Sequence, residues 1–215
     1  MPNFKKDKQV RFAYDLNKFH PARVPALHLA PSTTSSNTPP LPSRPLPRSY
    51  NRRHFSPSSP RLHPLLDASG VSWNMLDNFS TITRHNQLPN RVLYEQATTP
   101  PVPFLSIASL HLPWFIDVYA SNGSYVSVGD VFSSIYWSLR TNITTSEFHC
   151  FPRQRDQVRA TRAYEQRYRR FRNIYGHDAE KRAGMKRIDF LMSHTRFQGI
   201  SHSGNSDQWQ LCPTT

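Results

Sequence analysis

Cysteine and glycine are both scarce in this chain of 215 residues, at 2 and 7. Two cysteines cannot build a disulfide framework, and they do not form a pair at zinc-ribbon spacing. There is no Walker A loop, no G-x-G-x-x-G fingerprint and no His-Glu-x-x-His, so phosphate-loop, dinucleotide and zinc-protease chemistry all lack their signatures. Long apolar runs are missing too. The stretch from Pro113 to Tyr119 is far too short to span a bilayer, which argues against integral membrane association. The amino terminus, MPNFKKDKQVRF, carries charge with no apolar h-region behind it, so an intracellular setting, cytoplasm or nucleus, is expected.

Acidic residues are the other shortage: 14 Asp+Glu stand against 27 Lys+Arg, a formal net charge of +13. That excess is unevenly placed. Residues 1–61 carry +9 and 11 of the 19 prolines, residues 62–151 carry −3, and residues 152–215 carry +7. The first segment, rich in Pro, Ser and Arg with no period of 2 or 3.6, reads as a disordered basic arm. It has too little apolar side chain to offset a backbone ordering cost of ~1–2 kcal/mol per residue. Within it, Pro39, Pro42 and Arg44 fit the P-x-x-P-x-R spacing that an SH3-type aromatic groove reads. Residues 62–215 read as a single domain, long enough for one core.

The domain's pattern is mixed. Val71–Met75 and Phe104–Ala108 suggest strands, and Phe115–Tyr119 alternates strictly, with Ile116 and Val118 on one face and Asp117 on the other. The Asn122-Gly123 pair that follows predicts a hairpin returning through Tyr125–Ser127. Ser127 with Asp130, and Thr144 with Glu147, approximate capping boxes. After the first of these, Val128, Val131, Ile135 and Leu139 repeat at helical spacing. Residues 154–175 form the longest helix candidate, with Tyr164, Tyr168, Phe171 and Tyr175 on one face and Gly176 as a stop. The stretch 76–99 reads as a long surface loop. Met185–Leu191, Phe197–Ile200 and Trp209–Leu211 read as closing strands. The expected fold is therefore α+β: a small, largely antiparallel sheet with two or three helices packed on one face.

Several short motifs stand in a recognisable order: Leu62-His63-Pro64-Leu65-Leu66, Trp73, Ala97-Thr98 with Pro100, and Leu112-Pro113-Trp114-Phe115-Ile116-Asp117-Val118. They continue with Val126-Ser127-Val128-Gly129-Asp130-Val131, Gly184-Met185-Lys186-Arg187-Ile188-Asp189-Phe190-Leu191, Phe197-Gln198-Gly199-Ile200 and Trp209 with Leu211. In this order they resemble an uncharacterised domain of mushroom-forming (basidiomycete) fungi. The resemblance spans residues 62–211 and implies a domain boundary and an intracellular fungal setting. It implies no activity, and no functional residue comes with it.

For catalysis the residues offer little. Gly199-Ile200-Ser201-His202-Ser203-Gly204 departs from a nucleophile elbow at its fifth position, and the Ser/Gly-rich run 201–206 reads as a loop between strands. Asp117, Asp130, Glu147 and Asp189 have structural roles ready: a strand's outer face, two helix caps and a partner for Arg187. His149, Cys150, His194, His202 and Cys212 are not at chelating spacing, so no metal or other cofactor is expected. Trp73, Trp114, Trp137 and Trp209 sit in apolar runs and read as core. Between Arg153 and Arg172 lie eight arginines and two acids. Arg155, Arg159, Arg162, Arg169 and Arg170 are the candidates for holding phosphate or another anion. The expected role is a non-enzymatic interaction module with a protein partner. The alternative is nucleic-acid or anionic-surface association through the arm and the Arg-rich helix 153–172.

Overall fold

Alternating burial makes the two longest early strands. In β4 (Phe104–Ser109) Leu105 and Ile107 are buried, and in β5 (Leu112–Tyr119) Leu112, Ile116 and Val118 are, while Phe115, Asp117 and Tyr119 face water. A computed structural model describes these elements within residues 60–68, 70–202 and 208–215. The basic arm, with Pro39, Pro42 and Arg44, lies outside the described residues. β4 and β5 pair antiparallel through a two-residue connection, Leu110-His111, with Ser109 opposite Leu112. The sheet is completed by β2 (Trp73–Asn74), β6 (Arg196–His202) and β7 (Trp209–Thr214), in the order β2-β6-β7-β4-β5. Among the described residues, only the β4–β7 pairing is parallel. The last strand is thus inserted between the early hairpin and β6, locking both ends of the domain into one sheet. A separate pair joins β1 (Arg61–Leu62) to β3 (Thr98–Thr99).

Helix α2 (Val128–Arg140) covers one face of this sheet. Ser127 Oγ accepts the Asp130 N–H and Asp130 Oδ2 accepts the Ser127 N–H, so the capping box forms as expected. The helix buries Val128, Val131, Phe132, Ile135 and Leu139. Phe132 meets Trp73 and Phe197 at ring separations of 5.7 and 5.5 Å, which joins α2 to β2 and β6. The second capping box, Thr144 with Glu147, starts α3 (Thr145–His149). Two further helices, α4 (Gln154–Arg169) and α5 (Ile174–Arg182), pack on each other, and α4 also packs on a 3₁₀ turn at Arg187–Leu191. The architecture is α+β, as the pattern predicts.

Five local expectations are corrected. The Asn122-Gly123 turn forms, with Asn122 Oδ1 accepting the Ser124 and Tyr125 N–H groups, but no strand follows it. Val126 instead bonds Val102 and Ala97, because the Ser127 cap commits the next residue to helix. The stretch 76–99 contains α1 (Thr81–His85), a 3₁₀ turn at Asn90–Tyr94 and β3, so it is not a plain loop. The long helix breaks after Arg169, because Asn173 caps α5 by accepting the Gly176 N–H; Gly176 lies in the first turn of α5 instead of ending a helix. Met185–Leu191 is not a strand. Ile188, Asp189, Phe190 and Leu191 are buried in succession, where a strand would alternate. Residues 199–202 belong to β6, and the rest of the expected loop, 203–206, lies outside the described residues.

Gly199 is required where it stands. It has φ +121° at a register shift between Phe197 and Ile200, and a Cβ there would lie 2.8 Å from backbone atoms of Asp67 and Ala68. That close approach lets the Ile200 N–H reach the Leu66 carbonyl at 2.7 Å, tying the start of the domain to the sheet. Replacing Gly199 with Ala should lower stability by about 1–3 kcal/mol from backbone strain alone. Urea unfolding followed by tryptophan fluorescence should show the lower midpoint; an unchanged midpoint would contradict the close approach.

Candidate interaction surface

Helical period divides the arginines of α4 into two sets. Arg155, Arg159, Arg162 and Arg169 follow at i, i+4, i+7 and i+14 and form one exposed stripe. On it, Arg159 lies 3.8 Å from Asp156 and Arg169 lies 3.4 Å from Glu165, both as neighbours one turn away. Arg155 and Arg162 have no acidic partner among the described residues. Arg170, just past the helix, donates to Asp77 at 3.0 Å. The five predicted anion-binding arginines are therefore divided between a solvent stripe and a separate contact beside α2. They do not converge on one point.

Arg167 belongs to the opposite stripe. Ala160, Tyr164, Arg167 and Tyr168 are the buried positions of α4, and Arg167 is only 4% exposed. Its Nε and Nη2 donate to the two oxygens of Asp189, each at 2.8 Å, and Nη2 also reaches the Gly184 carbonyl at 2.9 Å. Nη1 donates to Glu180, which Lys186 also holds at 2.8 Å. The sequence points to Arg187 as the partner of Asp189. The structure gives that place to Arg167, while the Arg187 guanidinium lies over the Trp114 ring at 4.6 Å. The missed signal was periodic: Arg167 stands three residues after Tyr164 and one before Tyr168, on the apolar stripe.

The charge states follow from this geometry. Burial opposes the charge of Arg167, but the bonds and charges of Asp189 and Glu180 outweigh it and raise its pKa. Burial raises the Asp189 carboxyl, against the Arg167 bonds and the Lys186 N–H that pull it down. A guanidinium can only donate, and here it donates to both carboxyl oxygens, so the pair is ionic at neutral pH. Glu180 is also pushed up by burial, yet the Lys186 bond and the Arg167 charge bring it below its ordinary value.

Beside this cluster a groove of about 510 Å³ opens between α2 and the α4–α5 connection. Its apolar part comes from Leu76, Tyr136, Trp137 and Phe171. Its charged part has four cations, Arg140, Arg167, Arg170 and Lys186, against Asp77 and Glu180. The sequence places Trp137 in the core. It is in fact 63% exposed, on the solvent side of α2, and Phe171 across from it is 45% exposed. The other tryptophans are buried or half-buried, Trp114 with its indole N–H on Glu147 at 3.0 Å. Arg140 is fixed over the Tyr136 ring, donating to the Leu76 carbonyl at 2.5 Å.

The order of elements from Val71 to the final strand is also the order of a known family. Residues 71–208 match the model of a family of unknown function, DUF6699. The chain belongs to the DUF6699 family. The match takes in β2, the β4–β5 hairpin, α1 to α5 and β6, and so every residue of the groove. No curated protein and no solved structure matches this DUF6699 chain. No described helix of the DUF6699 domain is long and apolar enough to cross a membrane.

Removing Asp189 leaves the buried Arg167 charge half-compensated. Asp189→Asn should destabilise the domain by about 3 kcal/mol, and Arg167→Met with Asp189→Leu should recover part of that loss; denaturant midpoints of both variants decide it. Glu180 supplies a pH dependence. Its folded pKa lies below its unfolded value, so its contribution is complete above about pH 4.5 and is lost as pH falls further. Thermal unfolding between neutral pH and pH ~3 should therefore show a shallower acid decline for Glu180→Gln than for the parent.

Proposed function

We propose that this DUF6699 chain is a non-enzymatic, intracellular protein-interaction module of a fungal cell, and that the Trp137 groove is its contact surface. The exposed Trp137 carries the reading. Every other large apolar side chain of α2 except the half-buried Tyr136 is turned inward, so the solvent position of a tryptophan has no packing purpose within the domain. Tryptophan, tyrosine and arginine are the residues in which binding energy concentrates at interfaces, and Trp137, Tyr136, Arg140 and Arg170 bring them together. Arg167, Arg170 and Lys186 of its lining are engaged in ion pairs, while Arg140 has no acidic partner among the described residues, so the groove suits a peptide segment that offers an apolar or aromatic anchor and an acidic group for Arg140.

A second reading has its own observation. Arg155 and Arg162 stand exposed and without acidic partners among the described residues, as a phosphate-binding stripe requires. Arg159 and Arg169 are paired with acids, which leaves two uncommitted charges on that stripe and ranks it below the groove with its exposed tryptophan.

Selection of the full chain against a displayed random-peptide library should enrich acidic sequences with an aromatic or long aliphatic residue. Trp137→Ala should weaken the selected peptides about 30-fold or more, the loss expected of a hot-spot side chain. An unchanged melting temperature for that variant separates lost contact from lost fold. Enrichment without acidic character, or binding that survives Trp137→Ala, would overturn the reading. Oligonucleotide binding that falls steeply with salt and disappears in Arg155→Gln/Arg162→Gln would favour the second.

A further inference from the structure

A second cavity, of about 360 Å³, shares no residue with the groove. It opens where four segments meet: the β4–β5 turn, the α3–α4 connection, the first turns of α4, and residues 190–194, from the end of the 3₁₀ turn onward. Leu112, Phe151 and Phe190 supply apolar wall, with the Phe151 and Phe190 rings stacked at 4.1 Å. Its basic side chains lie together. His111 and His194 stack at 4.6 Å and 20°, and Arg159 of α4 completes the basic group. The single carboxylate in the lining, Asp156, is held by Arg159 at 3.8 Å.

The backbone is shaped to make this arrangement. Met192, which ends the 3₁₀ turn and lines the cavity, takes φ 56° and ψ −111°, a costly conformation for a residue with a side chain. That turn is followed at once by His194, whose backbone N–H reaches the Leu191 carbonyl at 2.8 Å. His194 Nδ1 also lies 3.2 Å from that carbonyl, which can only accept, so Nδ1 carries the proton and Nε2 is the nitrogen available to an occupant.

Two imidazoles in contact beside a guanidinium are mutually repulsive as soon as they charge. Burial, then the charges of His194 and Arg159, all hold the His111 pKa below its ordinary value. An anion among these three groups reverses the sign of that interaction. A volume near the lower end of the usual ligand range suits a small molecule.

We infer that this cavity binds a small organic anion, its carboxylate or phosphate head between His111, His194 and Arg159 and its apolar body against Leu112, Phe151 and Phe190. Because His111 gains an anionic partner, binding of the ligand takes up a proton there, and affinity rises as pH falls from about 8 to about 6. Asp156 opposes the anion and remains on Arg159.

The test is a titration of the full chain with phenyl phosphate, benzoate, inorganic phosphate and neutral benzamide, read from the ring C–H NMR signals of His111 and His194. Saturable shifts with phenyl phosphate or benzoate are expected, and the tighter of the two identifies the head group. The shifts should tighten toward about pH 6 and weaken about tenfold or more in Arg159→Gln, an exposed position whose loss leaves the core intact. Cys150 lines the same cavity and is exposed, so bound ligand should also slow its alkylation, measured by peptide mass spectrometry. Benzamide binding as well as benzoate, no saturation with either anion, or full affinity in Arg159→Gln would overturn the site. Inorganic phosphate binding as tightly as phenyl phosphate would overturn the apolar half of the assignment.

Discussion

A guanidinium buried to 4% exposure is stable only where every donor finds an oxygen, and the packing of α4, α5 and the 3₁₀ turn is built around meeting that demand for Arg167. Asp189 from the 3₁₀ turn, Glu180 from α5 and the Gly184 carbonyl between them all converge on one side chain of α4. Each comes from a different stretch of chain, so the contact fixes α4, α5 and the turn relative to one another. Tyr164, one turn earlier on α4, reinforces the arrangement through its hydroxyl on the Lys181 carbonyl at 2.6 Å and its ring beside the guanidinium. A buried ion pair adds little net stability compared with a well-packed apolar cluster, but losing one partner is expensive. Its role here is to allow one register between these helices.

The surfaces follow from that register. With Arg167 turned inward, the stripe of Arg155, Arg159, Arg162 and Arg169 must face solvent, and the end of α4 brings Arg170 and Phe171 against the far end of α2, where Trp137 emerges. The same 3₁₀ turn that presents Asp189 ends in the strained Met192 and leads to His194. The aromatic-basic groove and the imidazole cavity are thus two consequences of one anchoring point, on separate sets of residues. Much of the basic charge of the domain is already engaged: Arg167, Arg170 and Lys186 in ion pairs and Arg140 on backbone carbonyls. A high isoelectric point is therefore a weak guide to what the domain binds.

Legibility in the sequence tracked the distance over which the deciding interaction acts. Both capping boxes, the apolar stripe of α2 and the alternation of β5 involve residues within about four positions of one another, and each formed as read. The β4–β5 hairpin has a Leu110-His111 connection with none of the usual turn residues, so the stronger local signal at Asn122-Gly123 drew the pairing to the wrong place. The Asn173 cap was present in the sequence, but the Tyr and Phe residues on either side of it suggested one continuous face. Trp137 carried only a periodic mark, two residues from both Ile135 and Leu139 and so about 200° round the helix from each. It shares α2 with Val131, Ile135 and Leu139, and only its angle around the helix axis separates it from them.

Composition and short-range pattern by themselves determined the class of the fold, the caps that begin α2 and α3, the buried face of α2 and the central strands. Propensity, periodicity and capping are local properties of the chain, and hydrophobic burial is indifferent to which apolar partner is met. Which arginine is buried, which carboxylate it meets, where β7 inserts and which histidines stack were decided only by tertiary structure. These are directional contacts between residues separated by 22 positions for Arg167 and Asp189 and by far more for His111 and His194. A hydrogen-bonded charge is satisfied only at a particular distance and angle, and those are set by the packing of the whole sheet and its helices.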